Sequence, residues 1–168
     1  MGTRLRFVQI YAAGPSAVRA MVTDAEYITA RAHVTGALEV TQSTTTSADG
    51  VTVLEITRIL PSEMPSFAVA IVGQTLTVTE HQEWQPLDAD RCTCEFHVGF
   101  SAPLTFTGTA SMTFDGSQTA VLTEGEFKAS IPLLGAKVER LALEQTERYL
   151  GKEQAFGAQW LQQGGQAL

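Results

Sequence analysis

Between Thr75 and Trp84 the sequence TLTVTEHQEW alternates, placing Val78, Glu80, Gln82 and Trp84 on one face of a strand and His81 and Glu83 on the other. Glu80 and Gln82 thus intrude on an apolar face. A carboxylate there costs several kcal/mol unless it is paired, hydrogen-bonded or protonated. Either a bulge turns Glu80 outward or a cation such as Arg58 pairs with it, or Glu80 faces a ligand as a polar anchor or general acid/base, with Gln82 orienting a carbonyl. Other groups promise less chemistry. His81, Glu95 and His97 cluster on the opposite face with His81 across from Glu95, which reads as a solvated cross-strand pair worth about 0.2 to 1 kcal/mol rather than a metal site. His33, beside a helix end, reads as an exposed cap. Cys92 and Cys94 point inward as small hydrophobes, too few for a disulfide framework and too close together for a zinc knuckle. No Ser-His-Asp order or metal spacing can be assembled from the inward residues. Glu80 is therefore the one weak catalytic candidate, and no metal or cofactor is expected.

The elements that position these residues follow from period and punctuation. Residues 3 to 11 alternate as a first strand, Gly14-Pro15-Ser16 breaks it, and Pro15 opens a helix through Val22. Asp24 caps a second short helix to about Ala32, and Gly36 stops it. From 37 to 129 the period is 2, with turns at Asp49-Gly50, 86 to 90, 101 to 103 and Asp115-Gly116, giving a long antiparallel meander. The apolar stretch Phe67 to Val72, inside the Pro-containing connection 61 to 73, fits a strand end or one helical turn. Pairing strands across the turns sets Trp84 against Cys92, Gln82 against Cys94, Phe106 against Gly125 and Met112 against Thr119. One face then collects apolar, aromatic and small residues while the other collects Thr, His and Glu. Gly108, Gly125 and the small Ala110 on the inner face mark bends or close approaches. Residues 134 to 163 form one long amphipathic helix, with Gly151 and Gly157 as points where it could bend.

Composition bounds the function. Hydrophobic residues are 44% and charged residues 17% of the 168, a globular balance, and one domain spanning 1–168 is expected. The net charge of -7 repels phosphate backbones and anionic headgroups, so nucleic acid is not an expected partner. The run Phe7 to Ala13 after Arg4 and Arg6 is short and broken by Gln9, reading as strand rather than signal peptide, and Arg6 stands where a myristoylation motif needs Ser or Thr. No apolar stretch reaches about 18 residues, so stable membrane insertion is not expected, and a reducing cytoplasmic setting fits.

A strand, two short helices, a six-stranded meander and a long C-terminal helix make an α+β chain of about seven strands. Together with the opening GPSAVRAMVTDAEYITAR, the Glu83-Trp84 strand end and the entry GEFKASIPLLGAKVE into the last helix, this order resembles the START and birch-pollen-allergen superfamily, also called SRPBCC or polyketide cyclase-like, in an actinobacterial branch. The resemblance implies a helix-grip fold, a curved antiparallel sheet wrapped around the C-terminal helix, with a cavity for lipids, polyketides or quinones between them. The motifs are architectural, and none is a catalytic signature. The plant branch's glycine-rich loop has no counterpart in Ser47-Ala48-Asp49-Gly50, so its ligands do not carry over.

The expected function is binding or transport of a hydrophobic small molecule between the sheet residues Val78, Glu80, Gln82, Trp84, Phe96, Val98, Phe106 and Met112 and the helix face of Val138, Leu141, Ala142 and Gln145. Phe67 and Ile71 would close the entrance as a lid. One alternative is a cyclase or dehydratase using Glu80 in the same cavity. Another is an interaction module docking a partner or second copy through the exposed edge strand or the apolar 64 to 72 stretch. A monomer or weak homodimer suits all three.

Overall fold

The computed structural model describes residues 2–164; the ends of the expected 1–168 domain, residue 1 and residues 165–168, lie outside it. Element order is β1 (Thr3–Tyr11), α1 (Pro15–Val22), α2 (Ala25–Val34), β2 (Glu39–Thr46), β3 (Thr52–Pro61), α3 (Ser66–Val72), β4 (Thr75–Trp84), β5 (Cys92–Phe100), β6 (Ala102–Phe114), β7 (Thr119–Ala129) and α4 (Gly135–Gln162). The seven strands form one antiparallel curved sheet in the order β1-β7-β6-β5-β4-β3-β2, which grips α4 on its concave face. The connection at 61 to 73 resolves into the short helix α3. Asp24 caps α2 by accepting from the Tyr27 amide, and the helix runs on to Val34 before Gly36 takes a φ of 109°, open to glycine.

Strand parity matches the expected faces while two registers slide by two residues. Trp84 stands opposite Cys94 rather than Cys92, and Gln82 opposite Phe96. Likewise Met112 stands opposite Val121, Phe106 opposite Phe127, and Gly125 opposite Gly108. The cause lies in the turns. Asp115 accepts from the amides of Ser117 and Gln118, making a four-residue loop in place of a two-residue one. A slip of two returns each side chain to its own face, so the apolar assignment survives. Gly108 and Gly125 pair because nothing larger fits: a Cβ on Gly108 would overlap the Glu124 carbonyl, and one on Gly125 would stand 2.5 Å from Phe106 Cε1. The Phe106 ring covers Gly125 and stacks on Phe127 at 4.1 Å between centroids.

Polar clasps fix α4 along the β1 side of the sheet. Glu139 accepts from Thr3 Oγ1 and from the Ala129 amide, both at 2.8 Å, Gln9 Nε2 donates to the Leu150 carbonyl at 3.0 Å, and the Ile10 amide donates to Gln154 Oε1 at 2.8 Å. The last bond also occupies a donor of the β1 edge that would otherwise be free to pair with another strand. Gly157 is a close approach, not a bend, since a Cβ would meet Tyr11 Cε1 at 2.8 Å. The apolar core divides in two. One cluster joins Tyr11, Val18, Met21, Tyr27, Trp84, Met112 and Trp160, the other Leu5, Val78, Val98, Phe106, Phe127 and Val138. No helix among the described residues is long and apolar enough to cross a membrane.

Candidate functional site

Between the two core clusters, with α4 held toward β1 and β7, the concave sheet face encloses a cavity of about 430 Å³. Its walls are the inward positions of β3 to β7, one side of α4, Gln9 of β1 and the C-terminal half of α2 with Arg31. Of the residues expected to bind ligand, Val78, Glu80, Gln82, Trp84, Phe96, Val98, Phe106, Ala142 and Gln145 line it. Met112, Val138 and Leu141 do not. Met112 of β6 packs in one core cluster, and Val138 of α4 packs in the other, its turn of the helix lying against the sheet rather than over the gap. Phe67 and Ile71 lie outside the wall, packed on the second cluster, with Lys137 Nζ 4.1 Å above the Phe67 ring. The exposed lining residues Val34, Gly36, Pro61, Glu63, Arg148 and Lys152 mark the mouth, between the end of α2, the β3–α3 loop and the middle of α4.

A polar band crosses this apolar cavity. Glu80 Oε2 lies 3.6 Å from Arg58 Nη2, so the carboxylate is both paired and on the cavity wall, and Gln82 donates to its other oxygen. Gln82 in turn accepts from Trp84 Nε1 at 2.7 Å, which fixes the amide's orientation. Facing them is a second pair, Arg31 Nη1 to Glu153 Oε2 at 3.6 Å. Tyr149 lies beneath Arg58, whose guanidinium carbon is 4.8 Å from the ring centroid, a cation–π geometry. Burial pushes the Tyr149 hydroxyl up to about 12, against the pull of both arginines. For Arg31, burial disfavours the charge, but Tyr149, Glu153, Glu80 and Tyr27 outweigh it and hold the guanidinium above its usual value. Behind the band, burial first and Glu153 second raise the Tyr11 and Tyr27 hydroxyls, which stay neutral.

Arg31 and Glu153 were not among the expected site residues. Their signal is helical spacing: Arg31 follows Tyr27 by four on the inward face of α2, and Glu153 falls between Tyr149 and Phe156 on α4. Elsewhere, His81 does not pair with Glu95. It stands opposite His97 and bonds Glu55 of β3 through Nδ1, with Glu83 at 3.4 Å from Nε2, because the slid register carries Glu95 to Glu83. Both cysteines are buried and free, and burial pushes the Cys94 thiol up. His33 is exposed at the end of α2, its Nδ1 3.3 Å from the Ala37 carbonyl oxygen.

Residues 6–161 match the family described as protein of unknown function (DUF2505). Solved structures share the fold at low identity. The Zhui aromatase/cyclase from Streptomyces sp. R1128 is 16% identical with a TM-score of 0.63, over 99% of this chain and 98% of that one. A START superfamily protein from Mycobacterium smegmatis is 13% identical at 0.57, over 96% and 99%. Ara h 8.0201 is 11% identical at 0.60, over 96% and 99%. No curated protein matches by sequence. The fold is thus START-like and birch-pollen-allergen-like, with the chemistry left to its own residues.

Proposed function

The chain belongs to the DUF2505 family, and we propose that this member binds and carries a hydrophobic small molecule in the cavity between its sheet and α4, in the cytoplasm. The observation that carries the reading is the cavity itself. About 430 Å³ bounded by Leu76, Val78, Phe96, Val98, Leu104 and Phe106 is within the range of small-molecule sites, and its apolar area supplies the affinity. Phe67 and Ile71, on the short helix beside the mouth, serve as the lid. The protein acts as a monomer or weak homodimer. Native mass spectrometry and organic extraction of the protein purified from its own host test this. A stoichiometric apolar molecule is the expected result. A protein that stays empty and also fails to take up N-phenyl-1-naphthylamine, an uncharged apolar fluorophore, overturns the reading.

One observation favours a second reading, a cyclase- or dehydratase-type enzyme: Glu80 borders the cavity instead of being turned out by a bulge. A carboxylate in reach of substrate can transfer protons, an effect worth about 10² to 10⁴ in rate. With Arg58 and Gln82 already on its oxygens, Glu80 is better arranged as a fixed anion than as a mobile acid. Glu80→Gln leaving the turnover of candidate polyketide substrates unchanged removes this reading.

A further inference from the structure

The two arginines of the polar band are held by charge and form no hydrogen bond among the described residues. Each guanidinium carries five N–H donors in a planar fork. The 3.6 Å separations to Glu80 and Glu153 exceed the 2.7 to 3.2 Å of an N–H···O bond. Nε and Nη2 of Arg31 and Nε of Arg58 are buried with no partner among the described residues. Both residues are more than nine-tenths buried and both line the cavity. A buried unsatisfied donor costs about 1 to 3 kcal/mol, more when charged, so these three, sealed within residues that line the cavity, leave bonding capacity that an acceptor can take up once a guanidinium turns toward it.

Charge around the cavity points the same way. Of the 11 Lys and Arg in the chain, Arg31, Arg58, Arg148 and Lys152 line it, whereas of the 18 Asp and Glu only Glu63, Glu80 and Glu153 do. Inside, Arg31 and Arg58 balance Glu153 and Glu80, and the excess of positive charge sits at the exposed mouth, where Arg148 and Lys152 outnumber Glu63. The nearby carboxylates do not use up the donors: Glu80 takes its hydrogen bond from Gln82, and Glu153 accepts none from Arg31.

We propose that the ligand is an amphiphile with an acidic oxygen head, a carboxylate or an ionised enol or phenol, toward which the guanidinium groups of Arg31 and Arg58 turn to donate, while its apolar body lies against Val78, Val98 and Phe106. This rests on the small-molecule reading above and narrows it to a class of molecule. The head bridges α2 and β3, so binding ties the cavity's two arginine-bearing walls together. Arg148 and Lys152 at the mouth draw the anion in against the net charge of -7.

The test compares two fluorophores of one skeleton, N-phenyl-1-naphthylamine and its acidic analogue 8-anilinonaphthalene-1-sulfonate, by titration into the full-length protein. The expected result is at least about tenfold tighter binding of the sulfonate to wild type, lost in Arg58→Lys and in Arg31→Lys, with the uncharged probe bound equally by all three. Lysine keeps the charge that faces Glu80 or Glu153 and removes the fork, so these variants retain the ion pairs, and near-ultraviolet circular dichroism confirms their packing. Equal affinity for the two probes, or a sulfonate preference that survives both substitutions, overturns the acidic head and leaves the apolar cavity standing. Binding of neither probe to a protein that also yields no molecule on extraction overturns both proposals.

Discussion

Arg58 and Glu80 sit on adjacent strands and meet at 3.6 Å on the cavity wall, two residues from direct register partners: Arg58 stands opposite Val78, and Glu80 opposite Ile56. The diagonal lets long side chains reach each other beside the apolar lining while Gln82 and Trp84 hold the carboxylate from the other side. Removing one charge strands the other. Arg58→Met is expected to lower stability by about 3 kcal/mol, the low end for a broken buried pair because Gln82 still serves Glu80. Adding Glu80→Met should recover most of that loss in urea unfolding. A double-variant loss equal to the sum of the Arg58→Met and Glu80→Met losses would show the two residues to be uncoupled.

Gly108 and Gly125 should differ from the turn glycines in kind. Gly108→Ala drives a methyl into backbone that cannot yield and is expected to cost more than about 3 kcal/mol, or to abolish folding. Gly125→Ala meets the Phe106 ring and the Thr107 carbonyl at 2.8 Å, and should both destabilise and displace Phe106 from its stack on Phe127. Gly116→Ala, at φ 100° with nothing within 4 Å, should cost only about 1 kcal/mol. Urea midpoints of the three variants give the ranking.

What could be read from the residues was parity, and what could not was anything fixed by two elements at once. Val78, Glu80 and Gln82 share a face with Phe96 and Val98 whatever the register, so the apolar wall was legible although Trp84 slid from Cys92 to Cys94. Arg58 was legible as Glu80's partner because both lie inward on neighbouring strands. Arg31 and Glu153 were not, since one charged residue among the several on α2 and on α4 reads as solvated surface until those helices pack together. Met112 and Val138 fell outside the cavity because the gap depends on where Glu139, Gln9 and Gln154 clasp α4 to β1 and β7, a tertiary choice with no local signature.

His81 gives the outer face of the sheet a pH dependence of known sign. The hydrogen bond to Glu55, helped by Glu83, raises its pKa in the folded protein above the usual 6.5. A raised histidine stabilises the fold fully below about pH 6.5 and loses that contribution as pH climbs through the folded value. Its side chain is more than a third exposed, so screening limits the effect to a few tenths of a kcal/mol. Urea midpoints at pH 5.5 and 8.5 should differ in wild type by that amount in favour of the lower pH, and His81→Gln should remove this share of the difference. An unchanged difference in the variant would assign it to other groups.

The proposed lid rests on how little holds α3. Seven residues are too few for a helix to be stable alone, and α3 fully buries a single side chain, Ala68, with Phe67, Ile71 and Val72 only half-buried against the second cluster. The residues just before it, Pro61, Glu63 and Met64, already border the mouth, so α3 need only swing on that loop and on Gly73, at φ 86°, to widen the entrance. Phe67 is the restraint, packed on the second core cluster beneath Lys137. Phe67→Ala should therefore speed release of bound N-phenyl-1-naphthylamine by roughly threefold or more in stopped-flow displacement while shifting the melting temperature by less than about 4 °C. A large fall in melting temperature with unchanged release would place Phe67 in the core. Concentration-dependent sedimentation of the wild type that disappears in Phe67→Asp would instead make α3 a contact between two copies of the chain.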